Sequence, residues 1–243
     1  MRDYYSPMAE FYEMVATRQV ASSGPALAAA LSGIDTAAGP VVEIGAGTGQ
    51  VTEVIAAALP QARIEAAEPS SVMRAVLTSR VAADIDLRRR VTVTDGAAPD
   101  LPLPPVISAA VIFGVAGHLD EPSRVRLWNR LRQRLAPGGV VVVELMGVRQ
   151  PRSIPPALSL RDSIGRHDYE WWVAGEPGSD TSMRFTTTWR VYRSGRLLRE
   201  VSDSYDWHTL DSARLARESG MATRPAAAAT GAGAPEVVVL APA

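Results

Sequence analysis

Val41-Val42-Glu43-Ile44-Gly45-Ala46-Gly47-Thr48-Gly49 is the stretch that decides the fold. Four residues of buried-strand character run into glycines at alternate positions, and a helix-forming segment from Gln50 to Leu59 follows at once. The pattern reads as strand, tight turn and helix start. Glycine at every second position lets the backbone approach a ligand where a Cβ would collide, and the helix behind it supplies free N–H groups. A nucleotide-like ligand is the first inference.

Spacing narrows that ligand. A dinucleotide turn reads G-x-G-x-x-G/A, with the third small residue needed for close helix-strand packing. Here the third glycine, Gly49, comes one position early, and Gln50 stands where the small residue is wanted. Glu43, two residues before Gly45, would repel a pyrophosphate but suits an ammonium group. The stretch resembles motif I, h-h-D/E-h-G-x-G-x-G, of the class I S-adenosylmethionine-dependent methyltransferases. Two more segments carry the same resemblance: Glu68-Pro69-Ser70-Ser71-Val72-Met73 is similar to their D/E-P-S-x-x-M run, and Leu135-Ala136-Pro137-Gly138-Gly139 to their L-x-P-G-G turn.

Outward from the glycine turn, apolar strands alternate with helices. Ala62 to Ala67 is a second strand, with Glu68 at its end where an acidic side chain can take both ribose hydroxyls. Val72 to Ala83 is a helix capped by Ser70-Ser71. Arg90 to Thr94 and Val106 to Phe113 are the third and fourth strands, Pro122 to Leu135 is a helix, and Val140 to Met146 is the fifth strand. Near-continuous apolar strands with helices between them predict an α/β fold, a doubly wound sheet covered on both faces, with ligands at the carboxyl ends of its strands. Met221 to Arg224 and Glu236 to Leu240 complete seven Rossmann-like strands, the last antiparallel by family resemblance. Asp211 caps the last core helix, and Ala226 to Ala234 reads as a flexible turn.

Before the core, Ser6-Pro7 opens one helix through about Arg18, and a second runs from Pro25 to Leu31 behind Ser22 or Ser23 as cap. After the fifth strand, Gly147 to Pro156 reads as a Pro-rich loop, followed by Tyr169-Glu170-Trp171-Trp172-Val173 and a hairpin of Met183 to Arg193 with Leu197 to Trp207. A three-residue loop, Ser194-Gly195-Arg196, pairs Trp189 with Val201, Phe185 with Tyr205, Met183 with Trp207 and Arg190 with Glu200, which leaves one face apolar and the other polar. Sugar N-methyltransferases of antibiotic pathways have a comparable β insertion. The expected organisation is a helical lid over 1–39, an S-adenosylmethionine-binding core over 40–146, a β insertion over 147–208 as substrate cover or oligomer contact, and the closing helix and strands over 209–243.

Composition limits the partners. A hydrophobic content of 47% supports a large core, and a net charge of −1 gives no footprint for nucleic acid or an anionic membrane. There is no cysteine, so thiolate catalysis and cysteine-ligated metals are excluded. All basic side chains except three histidines are arginine, which removes Schiff-base lysines and the P-loop lysine. No signal-like or membrane-spanning run is visible, so a cytoplasmic protein with a small-molecule substrate is expected, with a homo-oligomer through the β insertion as a further possibility.

The resemblance implies S-adenosyl-L-methionine as cofactor. The expected contacts are Glu43, Gly45, Ala46, Gly47 and Gly49 around the glycine turn, Glu68 and Pro69 at the ribose, and Met73 on the adenine. Tyr5 and Phe113 complete the set. The family's adenine-binding Asp has two alignments here, one giving Asp95 with Gly96 and the other Ala97. Tyr4, Tyr5 and Tyr12 are lid candidates, with core packing as the alternative. His118 is the only histidine at the expected strand ends and is the candidate base, or else a cap for the next helix; Tyr12 is carried beside it as catalytic. Trp171, Trp172, Trp189, Tyr205 and Trp207 suit stacking on a flat or cationic substrate, or form the insertion's own core. Asp120 and Glu144 are too few oxygens for a divalent ion, so no metal is expected. These features point to methyl transfer to an N or C atom of a natural-product intermediate. Open alternatives are an O-methyltransferase using His118, a cofactor-binding cyclase or decarboxylase, an NAD-dependent oxidoreductase and a non-catalytic partner subunit.

Overall fold

The computed structural model describes residues 6–226 and 235–242. A turn of 3₁₀ helix, Ser6–Met8, runs into α1, Ala9–Leu31. The alternating core begins with β1 (Val41–Ile44), α2 (Gln50–Ala58), β2 (Ile64–Ala67), α3 (Ser71–Ala83), the single turn α4 (Leu87–Arg90) and β3 (Val91–Thr94). It continues with β4 (Ile107–Ile112), a 3₁₀ turn at Ala116–His118, α5 (Glu121–Arg132) and β5 (Leu135–Leu145). Four long strands follow, β6 (Ile154–Ile164), β7 (His167–Ser179), β8 (Ser182–Arg193) and β9 (Arg196–His208). The chain closes with α6 (Ser212–Ser219), β10 (Ala222–Pro225) and β11 (Glu236–Ala241).

One sheet has seven strands in the order β10-β11-β5-β4-β1-β2-β3, and β6 to β9 form a second, antiparallel sheet. β1 pairs in parallel with β2 and β4, and β11 runs antiparallel to β5. The strand order reverses beside β1, which is where such sheets open a crevice at their carboxyl ends. Both faces of the large sheet are covered: Val41, Val111 and Val142 pack under Ile55 and Leu77, while Val42, Ile112 and Val143 pack under Leu127 and Trp128. Among the described residues no helix is long and apolar enough to cross a membrane.

Three local expectations change. The N-terminal segment forms one helix with Pro25 inside it, not two helices, and the Ser23 hydroxyl donates to the Gln19 carbonyl (2.9 Å) instead of capping. A proline inside a helix costs about 3 kcal/mol. Leu27 and Leu31 are fully buried just beyond it, and two such side chains return about 1.5–3 kcal/mol each, enough to carry the helix through. Second, the stretch expected as loop up to Pro156 enters β6 at Ile154. The strand tolerates Pro155 and Pro156 because it is an edge and its register shifts between Ile154 and Ala157. Third, the β8–β9 register is the expected one, with Trp189 opposite Val201, Phe185 opposite Tyr205, Met183 opposite Trp207 and Arg190 opposite Glu200. It is reached differently. Ser194 (φ 49°) and Gly195 (φ 75°) make a two-residue turn, and a shift after the Tyr192–Leu197 pair leaves Leu198 as the extra residue. The expected turn at Ala226 to Ala234 lies, from 227 on, outside the described residues.

Capping follows the sequence. Asp120 accepts from the Ser123 N–H (2.9 Å) at the start of α5, and Asp211 from the Arg214 N–H (2.7 Å) at the start of α6. These two helices are joined by a buried ion pair: the Arg124 guanidinium donates two 2.7 Å hydrogen bonds to Glu218 and a third to the Leu119 carbonyl. Arg124 is 1% exposed, so Glu218→Leu strands a cation in the core and should cost about 3–5 kcal/mol in urea unfolding. Arg124→Leu/Glu218→Leu should recover most of that loss. A double variant as unstable as the single one would contradict this account.

Candidate active site

At the end of β1 the chain turns back beneath β2. The Gly45 and Ala46 N–H groups donate to the Ala67 carbonyl at 2.8 and 3.0 Å. Gly45 has φ 75°, and a Cβ there would lie 2.3 Å from Val115 Cγ2; Gly47 has φ 57°, with the Tyr12 ring 3.3 Å from its ideal Cβ position. Neither place admits a side chain. Glu68, 6% exposed, fixes the turn from the next strand end: its Oε2 accepts from the Gly47 N–H and its Oε1 from the Ser70 N–H, both at 2.8 Å.

A cavity of about 620 Å³ opens over this turn, within the size range of small-molecule sites. Tyr12, Gly45, Gly47, Glu68, Pro69, Met73, Gly96, Ala97, Phe113, His118 and Tyr205, all named from the sequence as site candidates, line it together. Glu43, Ala46 and Gly49 stand behind that wall. Asp95 is exposed and not part of the lining, whereas Gly96, Ala97 and Ala98 are. Tyr4 and Tyr5 lie outside the described residues.

The aromatic residues of the second sheet divide. Trp189 stacks on Phe11 of α1 (centroids 4.9 Å), and Trp171 stacks on Trp189 (6.0 Å), so both are core between the second sheet and the N-terminal helix. Trp172 points to the opposite face, under the Arg190 guanidinium (5.4 Å), with its Nε1–H donating to Glu170 (2.9 Å). None of these three lines the cavity: strand alternation turns Trp172 to the opposite face, while Trp171 and Trp189 share the inner face with Tyr205 but lie farther along the strands, where α1 covers them. Trp207 lies against Gly117, where a Cβ would be 2.0 Å from the indole, and it packs edge-on against the His118 ring at 4.9 Å. Tyr205 also packs on that imidazole (5.4 Å) and meets Trp207 edge-on (6.4 Å). Asp120, not His118, caps the following helix.

Burial tunes the ionisable groups. Desolvation lowers the His118 imidazole to about 4, so it is neutral near pH 7. Glu43 is buried, with Oε2 accepting from the Thr52 hydroxyl (2.6 Å) and no partner for Oε1 among the described residues; burial, reinforced by Glu68, pushes its carboxyl up to about 8 despite the Thr52 hydrogen bond. Glu144, at the end of β5, is also raised by burial, and Gln19 of α1 donates to it. The same helix is tied to the glycine turn: Arg80 pairs with Glu13 and Glu53 and donates to the Thr48 carbonyl (2.9 Å). Sequence reasoning missed this use of Arg80, and it missed Val115, Leu119, Asp203, Ser204 and Asp206 in the cavity wall. A second hollow of about 500 Å³, lined by Glu176, Arg184, Asp206 and His208, lies on the outer face of the second sheet.

Residues 42–141 match the family model described as a methyltransferase domain. The match spans the alternating core from β1 to β5. Solved methyltransferases share its fold nearly end to end. DesVI from Streptomyces venezuelae is 19% identical over 100% of both chains, with a TM-score of 0.72. The CcbJ methyltransferase from Streptomyces caelestis is 18% identical over 91% of this chain and 90% of that one (TM-score 0.70). CalS10 of Micromonospora echinaspora, an amino pentose methyltransferase involved in calicheamicin biosynthesis and solved with S-adenosylmethionine bound, is 17% identical over 93% and 87% (TM-score 0.64). At these identities the likeness shows the fold. No curated protein matches the chain in sequence.

His118 gives a direct check on the site. In a pH titration followed by ring ¹⁵N shifts, His118 should take up its proton near pH 4. An unfolded imidazole does so near 6.5, so this residue's contribution to stability is whole above pH 6.5 and is lost as pH falls from there to about 4. Titration at the ordinary value would mean that Trp207 and Tyr205 do not desolvate the ring.

Proposed function

We propose that this methyltransferase moves a methyl group from S-adenosyl-L-methionine to an amine nitrogen of a small molecule, an intermediate of natural-product biosynthesis. One cavity carries the reading: a glycine turn with a doubly hydrogen-bonded carboxylate on one side, and an imidazole held neutral between aromatic rings on the other. The residues present fit the cofactor. Glu68 lines the cavity where a ribose would lie, its two oxygens anchored by backbone N–H groups, and Met73 with Pro69 offers an apolar bed for a base. The backbone of Gly96 and Ala97 takes the adenine role for which Asp95 was the other candidate. Gly45 and Gly47 give the close approach that the amino-acid end needs, and Tyr12 covers Gly47 from α1. Bound there, S-adenosyl-L-methionine supplies a methyl group on a sulfonium centre.

The acceptor atom follows from what the other wall can do. An amine needs alignment and exclusion of water, with little help from a base. A hydroxyl needs proton removal, and an imidazole with a pKa of about 4 is too weak a base for it. An aromatic carbon acceptor would want a stacking slot, yet Trp171, Trp172 and Trp189 stand away from the cavity. The amine reading also agrees with the amino pentose that CalS10 methylates. His118 serves as an acceptor that orients an N–H bond, and Trp207 holds it in place.

Isothermal titration tests the cofactor. S-adenosylmethionine and S-adenosylhomocysteine should bind the wild type, and binding should be lost in Gly47→Val and in Glu68→Ala. Binding of NADH alone would overturn the reading. Replacing His118 by Ala should slow turnover by about tenfold to a hundredfold, whereas a loss beyond about a thousandfold would restore the base-catalysed O-methyl reading. Glu43 lies just behind the wall and is protonated near neutral pH; a cofactor ammonium brought up to Gly45 favours its charged form, so cofactor binding at pH 7 should release close to one proton. Titrations in buffers of different ionisation enthalpy measure that number, and Glu43→Gln should abolish the release.

A further inference from the structure

The acceptor end of the cavity is closed by β9, the edge strand of the second sheet, through Asp203, Ser204, Tyr205 and Asp206. The two carboxylates differ. Asp206 belongs to the outer face, where Arg184 donates to both of its oxygens at 2.9 and 2.8 Å, so its charge is already matched. Asp203 lies on the inner face, opposite the buried Thr187, and is itself half-buried. Its Oδ1 accepts the N–H of the adjacent Ser204 (2.8 Å), and among the described residues no arginine or histidine pairs with it. A carboxylate partly withdrawn from water without a counter-ion is a cost that a cationic ligand removes.

The rest of the wall has the same sign. Among the described lining residues there is no arginine, and the chain contains no lysine. The one histidine, His118, is neutral near pH 7. Glu68 adds a negative charge, and no lining side chain offers a positive one. A phosphate group in this space would find only carboxylates, neutral donors and apolar rings, whereas phosphate sites are built from arginine, lysine or converging backbone N–H groups.

We propose that the acceptor enters this cavity as an ammonium ion on a carrier that has no phosphate group, and that Asp203 is the residue that selects it. The proposal rests on reading the cavity as the methyl-transfer site, and it names the substrate class there: a free or glycosidically attached amine in place of a nucleotide-activated one. Asp203 pairs with the cation and then takes one of its protons, which frees the nitrogen lone pair for the methyl group; the methylated nitrogen leaves as the new ammonium, carrying the charge the sulfonium has lost, and Tyr205 packs beside it. Asp206, already held by Arg184, shapes the rim.

Three probes of one ring size separate charge from shape: cyclohexylamine, cyclohexanol and cyclohexyl phosphate, titrated near neutral pH with ligand-observed NMR, with and without S-adenosylhomocysteine. The amine should bind about tenfold tighter than the alcohol, with the phosphate weakest. Asp203→Asn should bring amine and alcohol together while leaving the affinity for S-adenosylhomocysteine intact, which also shows that the variant is folded. Asp203→Glu should restore part of the preference. Equal binding of the three probes, tightest binding of the phosphate, a preference that survives Asp203→Asn, or binding of none of them would each overturn the proposal. If S-adenosylhomocysteine itself fails to bind, the methyl-transfer reading falls instead, and the probe order without it still decides whether Asp203 selects a cation.

Discussion

The site depends on one carboxylate holding a glycine turn. A backbone with three glycines at alternate positions has little preference for any one conformation, and the conformation it needs here includes left-handed residues. Glu68 removes that freedom by accepting the Gly47 N–H with one oxygen and the Ser70 N–H with the other, so the ends of β1 and β2 and the start of α3 become one rigid unit. Glu68 also lines the cavity. The group that shapes the pocket is therefore also a group the pocket presents.

Covering that pocket is the work of elements outside the alternating core. Helix α1 lays Tyr12 against Gly47, reaches Arg80 through Glu13 and Glu144 through Gln19, and stacks Phe11 on Trp189 of the second sheet. The second sheet returns the contact on the far side, with Trp207 pressed onto Gly117 and Tyr205 beside His118. The neutrality of His118 is a consequence of this cover, since desolvation alone lowers its pKa. Fold and chemistry meet at Gly117: a side chain there would push the indole off the turn that carries the imidazole.

Much of the core was legible in the sequence because its signals are local. Alternating apolar strands and helices, the glycine spacing and the acid at the end of the second strand need no long-range information. The β8–β9 register was legible too, because only one pairing puts Trp189, Phe185 and Met183 on the same face as Val201, Tyr205 and Trp207. What escaped is what depends on sheet order and on neighbours. Which face of the second sheet meets α1, and that β9 is its free edge, follow from β6, whose prolines disguised it as a loop. The choice between substrate contact and core for Trp171 and Trp189 therefore stayed open until α1 was seen to cover them, and Asp203 passed as an ordinary polar strand residue. Helix α1 was broken in two by a local rule about proline that the burial of Leu27 and Leu31 overrides.

Hydrogen exchange on the protein with and without S-adenosylhomocysteine tests the central claim most directly, because it reports where the ligand lies without presuming the acceptor. Protection should rise in the segments that surround the cavity, 44–50, 67–73, 95–98 and 113–118. Protection confined to the outer face of the second sheet, around 174–186, or absent from the glycine turn, would contradict it.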